Sequence, residues 1–400
     1  MTTEPETEPT AEAAPAPAPA PEPAPTPAPA PVPASAPAPV QAPAPAPVAK
    51  PAARMPSRGD DIAIGIWLLA CAAMVFAIVI IGGITRLTHS GLSMVEWRPL
   101  IGILPPLSTE EWQRVFGLYQ LSPEYLQVNK GMTLEAFQGI FWWEWFHRLF
   151  AQLIGFVFLL PFLFFWLTKR VRKGLMPNLI GLFLLGGMQG VVGWLMVASG
   201  LVDRPAVSHY RLAAHLSTAL LIFSFLLWQA LTLLRPLVHS AAVAGRKAWT
   251  LRLHLSLALL LALTTLVWGA LVAGLHAGLI YNTFPLMNGE FIASDAWAYD
   301  PKWLNLFENH AAVQFCHRWL AITTGFVILL YGWRVASIET LAPATRRLGF
   351  ALSAWVLVQI SLGITTLVLS VPVPTAVTHQ AGAFVLLTLI LWALHDLRRR

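Results

Sequence analysis

EWFHRLFAQLIGF, residues 144–156, returns in altered form as QFCHRWLAITTGF, residues 314–326. Five of the thirteen positions agree, including His147/Arg148 against His317/Arg318. Each copy opens a stretch apolar and long enough to cross a bilayer as a helix. One exchange sets the copies apart: Glu144 in the first is Gln314 in the second. A membrane segment used twice, with its acid kept only once, frames the reading of the chain.

Of the 400 residues, 56% are hydrophobic and only 12% charged, with a mean hydropathy of +0.62. Soluble domains rarely reach that apolar fraction, so the composition points to an all-α polytopic membrane protein. Eight runs read as spans: 62–84, 143–167, 178–199, 207–233, 253–275, 310–333, 348–370 and 376–396. Residues 1–57 are different material. A segment such as APAPAPAPEPAPTPAPAPVPASAPAP carries too few large apolar side chains to pack and is expected to be a disordered, polyproline-II-like tail. Glu4, Glu6, Glu8 and Glu12 stand where a mitochondrial transit peptide would carry arginine. The two cysteines, Cys71 and Cys316, sit in apolar runs and suggest neither a disulfide nor a thiolate metal site.

Charge sets the orientation. The tail junction, residues 168–178, 234–252 and 334–347, and the C-terminus together hold 17 of the 26 Lys and Arg residues. The connections 85–142 and 276–309 on the other side are long and acid-rich. The positive-inside rule places both termini in the cytoplasm and the long loops outside. The net charge of +6 thus has a membrane explanation and does not indicate nucleic acid.

The duplication covers the whole membrane part. RLTHSGLSM (86–94) matches GLHAGLIYN (274–282) through His89/His276 and Gly91/Gly278, and Gln189/Gly193 match Gln359/Gly363. The expected architecture is therefore two pseudo-symmetric four-helix bundles, 58–235 and 236–400. Each half has four spans, so the repeat is parallel, which weakens an inverted-repeat transporter reading.

Eleven histidines are present, and their depth sorts them. His239, His254 and His395 fall near cytoplasmic ends, and His310 begins an outer helix. Every even-numbered span, running inward, carries a histidine in its first turns: His147; His209 and His215; His317; His379. An imidazole inside a membrane is costly unless partnered, and such residues mark functional sites. Zinc would ask for three or four ligands, usually with Cys or an acid. Haem iron asks for two axial ligands on facing helices in apolar, aromatic surroundings. Seventeen Trp and twenty-one Phe provide those surroundings, and Gly155, Gly193, Gly325 and Gly363 are small enough for a porphyrin to approach. Arg148, Arg211 and Arg318 stand at the outer ends as candidate propionate donors. In the fourth span, register favours His209 as the counterpart of His379, and depth favours His215. His89 and His276 are candidates for the haem edge.

These residues resemble a known family. GGITRLTHSGLSMVEWRPLIGILPPLSTEEWQRVFGLYQLSPEY (82–125), FWWEWFHRLFAQLIGF (141–156), VSHYRLAAHL (207–216), FCHRWLA (315–321) and VTHQAGA (377–383) are similar to haem A synthases of the proteobacterial and mitochondrial type. The resemblance implies an inner-membrane enzyme that oxidises the C8 methyl of haem O to the formyl group of haem A for cytochrome oxidase. It implies His147 and His215 around the substrate haem, His317 and His379 holding haem b, and Glu144 as the acid required for the oxidation. Its implied partners are haem O synthase, an electron-transfer protein and oxidase assembly factors, all within membrane lipid. Some bacterial relatives carry a cysteine pair in the first outer loop, but residues 85–142 contain none, so that haem-transfer role does not carry over.

Glu144 and His147 share a helix face. The acid can accept a proton or stabilise a developing cation near a haem edge. Against this stands a plain outer-interface acid paired with Arg148. Two further readings use the same histidines: a di-haem cytochrome b that only carries electrons, and a haem transporter or chaperone. The first does not account for the missing counterpart of Glu144, and the second needs a site open to both faces.

Overall fold

The computed structural model describes residues 24, 26, 56–96, 104–201, 206–235 and 246–398. His239 and nearly all of the Pro/Ala-rich tail lie outside the described residues. Residues from Ala53 onward form one compact unit.

The first helix, α1 (Arg58–Leu87), starts at a capping box in which the Ser57 hydroxyl accepts from the Asp60 backbone N–H and the Asp60 carboxylate accepts from that of Ser57. The long loop after it contains two short helices, α2 (Thr109–Gln120) and α3 (Pro123–Gln127), each capped by a serine, Ser108 and Ser122. Next come α4 (Leu134–Leu167), α5 (Met176–Gly200), α6 (His209–Leu234) and α7 (Arg246–Gly274). Two 3-10 turns, Ala277–Leu279 and Lys302–Leu304, and the one-turn α8 (Asn305–Glu308) occupy the connection after α7. The chain closes with α9 (His310–Ala336), α10 (Pro343–Val368) and α11 (Val373–Asp396).

Eight of these helices, α1, α4, α5, α6, α7, α9, α10 and α11, are long and apolar enough to cross a membrane. The protein is an all-α, multi-pass membrane protein. The spans match those read from the sequence except that α4 begins at Leu134, well ahead of residue 143. The extra turns are amphipathic: Phe137 and Phe141 are buried against Tyr119 and Trp112 of α2. The α1–α4 loop thus builds a small aromatic core of its own with the start of α4.

In the first half α1 packs on α4 and α6, and α5 packs on α6. In the second half α7 packs on α9 and α11, and α10 lies between α9 and α11. The halves meet through α6 with α7 and through α11 with α1 and α6. The Gln380 amide on α11 donates to the Val79 carbonyl of α1 at 2.8 Å, stitching that seam at membrane depth. At the N-terminal end of α1, buried Asp60 and Asp61 pair with Arg170 and Arg172 of the α4–α5 connection, which orders a loop rich in positive charge.

Candidate functional site

A glycine stands against each of the four principal histidines. A Cβ built on Gly82 of α1 would lie 3.3 Å from His147 Nε2, and one on Gly269 of α7 would lie 3.0 Å from His317 Cε1. On the other side, Gly193 of α5 would meet His215 Cε1 at 3.0 Å, and Gly363 of α10 would meet His379 Cε1 at 2.8 Å. Gly193 and Gly363 therefore make room for imidazole rings. Gly82 and Gly269 were not singled out from the sequence. Their signal was present, because both lie seven residues before the matched histidines His89 and His276.

The rings are also held by hydrogen bonds. His317 Nδ1–H donates to the Thr265 carbonyl at 3.1 Å, which leaves Nε2 with its lone pair available to a metal. The Gln359 amide donates to the His379 carbonyl at 2.9 Å and lies 3.1 Å from His379 Nδ1. Gln189 repeats this at His215, 3.1 Å from its carbonyl and 3.2 Å from its Nδ1. The His317 and His379 rings stand 6.5 Å apart, centre to centre. An iron bonded to one nitrogen of each imidazole at ~2 Å would hold the ring centres about 6 Å apart, so the second-half pair fits bis-histidine haem ligation.

His209 takes a different place. It is the first residue of α6, packed against Gly274 of α7, with Nε2 3.5 Å from Glu308. Gln189 and His215 are 26 residues apart, whereas Gln359 and His379 are 20 apart. The α5–α6 connection is the longer one, and this displaces the ungapped register that matched His209 to His379. In space, His215 is the counterpart of His379.

Glu144 and Gln314 occupy equivalent posts with opposite hydrogen-bonding sense. The buried Glu144 carboxylate accepts from Ser93 Oγ at 2.8 Å, from the Met94 backbone N–H at 2.6 Å, and from Arg148. Gln314 donates to the Ala277 and Ile280 carbonyls at 2.7 and 2.6 Å and accepts from Arg318 at 2.9 Å. Each side chain thus fastens the loop leaving the preceding span. The pairing of Glu144 with Arg148 is present, and it leaves a fixed negative charge one helical turn from His147.

Arg148, Arg211 and Arg318 donate to backbone carbonyls. Arg148 bonds those of Met94 and Glu96, Arg211 that of Leu195, and Arg318 those of Tyr281, Thr283 and Leu286. His89 and His276 meet across the seam between the halves, stacked with ring centres 6.1 Å apart and planes 10° from parallel. Both are left-handed, with φ 53°, a conformation uncommon away from glycine. Burial, with the nearby charges of Arg86, His89 and His310, holds His276 below the ordinary histidine range. Among the described residues no carboxylate lies within 4.0 Å of Arg86, which places a further cation beside this pair that sequence reasoning did not single out.

The model of the COX15-CtaA family, described as cytochrome oxidase assembly protein, matches residues 65–391. A heme A synthase from Rhodospirillum centenum is 52% identical over 338 residues, which is 84% of this chain and 88% of that protein. The heme A synthase of Paramagnetospirillum magneticum is 50% identical, covering 84% of this chain and 94% of its own length. That of Nitrosospira multiformis is 47% identical with the same coverage. The chain belongs to the haem A synthase family of cytochrome oxidase assembly proteins.

Proposed function

We propose that this protein oxidises the C8 methyl group of haem O to the formyl group of haem A, with the first half as the catalytic half. The observation that carries the assignment is the pair of matched posts at 144 and 314. The same fold holds an anionic carboxylate beside His147 and a neutral amide beside His317. His147 and His215 would flank the substrate haem, and His317 and His379 would hold haem b. Haem b, when bound, supplies a one-electron relay to an external acceptor protein.

Methyl to hydroxymethyl takes up the oxygen of one water molecule and releases two electrons and two protons. Hydroxymethyl to formyl releases two more of each, the electrons passing to the external acceptor protein, so positive charge develops at the carbon at each step. Three donors, the Ser93 hydroxyl, the Met94 backbone N–H and Arg148, fix the Glu144 carboxylate in place. Its role is electrostatic stabilisation, in a site where lipid and buried helices keep the dielectric low. Arg86, His89 and His276, at the seam between the halves, are the groups best placed to receive propionates. Haem O synthase upstream, and oxidase assembly factors downstream, are the partners this reaction requires.

The test is to make the protein and its Glu144→Gln and Glu144→Asp forms in cells that accumulate haem O, then separate extracted haems with mass detection. Wild type should yield haem A. Glu144→Gln should lower that yield by about 10²-fold, the cost of losing one preorganised charge contact. Glu144→Asp should retain part of it. Undiminished haem A from Glu144→Gln would reduce Glu144 to a loop clamp.

A further inference from the structure

The halves differ where the second span of each meets the third. In the second half α9 and α10 close on one another. Gly325 is buried, and a Cβ on it would meet Ile360 Cδ1 at 2.5 Å and Val356 at 3.7 Å. By the His147/His317 and Gln189/Gln359 registers, Gly325 corresponds to Gly155, Val356 to Gly186 and Ile360 to Gly190. Both side chains that plug the second half are therefore absent from the first. Gly155, Gly186 and Gly190 are exposed, and a Cβ on any of them would meet nothing within 4 Å. Each glycine inside a helix is destabilising relative to alanine.

The glycines of this flank, Gly186 and Gly190, run along a single face of α5 to Gly193, which faces His215. Gly155 lies two turns along α4 from His147. Gln189, on the same face, presents a buried Oε1 with no hydrogen-bond donor. Gln359 Oε1 also lacks one, but it is walled in, since a Cβ on Gly382 would lie 2.2 Å from it.

We propose that the cleft between α4 and α5 seats the hydroxylated isoprenoid tail of haem O, so that Gly186 and Gly190 determine specificity for the tailed substrate. This rests on the haem O reading of the first half. The chemistry agrees on three counts. A haem b carries no such tail, and the half assigned to haem b has the slot filled. The cleft lies in apolar helices facing lipid, where an isoprenoid chain already resides. The tail's hydroxyl is a donor for an acceptor such as Gln189 Oε1 at the head of the cleft.

The experiment transplants the plug. Full-length protein with its second-half haem in place is titrated with haem O and with haem b, reading absorbance at the first-half site, for wild type and Gly186→Val/Gly190→Ile. The expected result is a loss of haem O affinity of about tenfold or more, from overpacking, with haem b affinity within about twofold. Unchanged haem O affinity, as when lipid chains fill the cleft, overturns the proposal, and so does an equal loss for both haems. If the double variant fails to retain its second-half haem, Gly190→Ala is used, with a smaller loss of haem O alone expected. A wild type that prefers haem O yet never converts it defeats the catalytic reading and leaves the cleft assignment intact. A wild type with no preference for haem O over haem b defeats the cleft assignment, whatever it converts.

Discussion

At the scale of single residues, the imidazoles are held by what is missing opposite them. Gly363 leaves the only room for the His379 ring, because a Cβ there would stand 2.8 Å from Cε1. Gly363→Ala should therefore push the ring off its position, costing about 1–3 kcal/mol, and the purified protein should retain less haem at the second-half pair. Gly91→Ala, where a Cβ meets nothing within 4 Å, should leave haem content unchanged. Glu124 offers a test by pH. Burial raises its carboxyl to about 7 from 4.5, even though the Tyr119 hydroxyl donates to it and opposes the shift. The folded state therefore holds the proton more tightly than the unfolded one. The associated stability is complete below pH 4.5 and is lost as pH rises through about 7. Protease resistance of the α1–α4 loop should fall over that interval in wild type, and a Glu124→Gln protein should show no such slope.

At the scale of elements, length and hydropathy made the eight spans legible, because a bilayer admits little besides helices of that size. The α1–α4 loop was not legible in the same way. Its helices α2 and α3 are short, and the extension of α4 to Leu134 rests on contacts between Phe137, Tyr119 and Phe116 that no periodicity within one segment reveals. Phe137 is fully buried in that cluster. Phe137→Ala should cost about 3–5 kcal/mol there, seen as rapid proteolysis between residues 104 and 133 while the membrane helices stay intact. The placement of His209 shows the same limit from another side. Register read from Gln189 ignored the longer α5–α6 connection, whereas depth already favoured His215, the residue that Gly193 and Gln189 cradle in the structure. The hydrogen-bonding senses of Glu144 and Gln314 were likewise hidden, since they depend on which backbone groups of the neighbouring loop turn toward each post.

For the whole molecule, one helical plan has been given two environments. The second half closes α9 on α10 and sets His317 and His379 at haem-ligating separation beside a neutral Gln314. The first keeps an anion at Glu144 and an open, glycine-lined flank. The stacked His89 and His276 mark where the two meet, next to Arg86. Division of labour between the halves is the central claim, and haem analysis of two variants tests it most directly. Full-length His147→Ala and His317→Ala proteins are made in cells supplying haem O, purified in detergent, and their haems extracted and identified by mass. His147→Ala should retain haem b and yield no haem A, whereas His317→Ala should lose haem b and keep haem O at the first site, largely unconverted. Loss of haem b from His147→Ala with retention in His317→Ala, or equal loss of both haems from either variant, would contradict that division of labour.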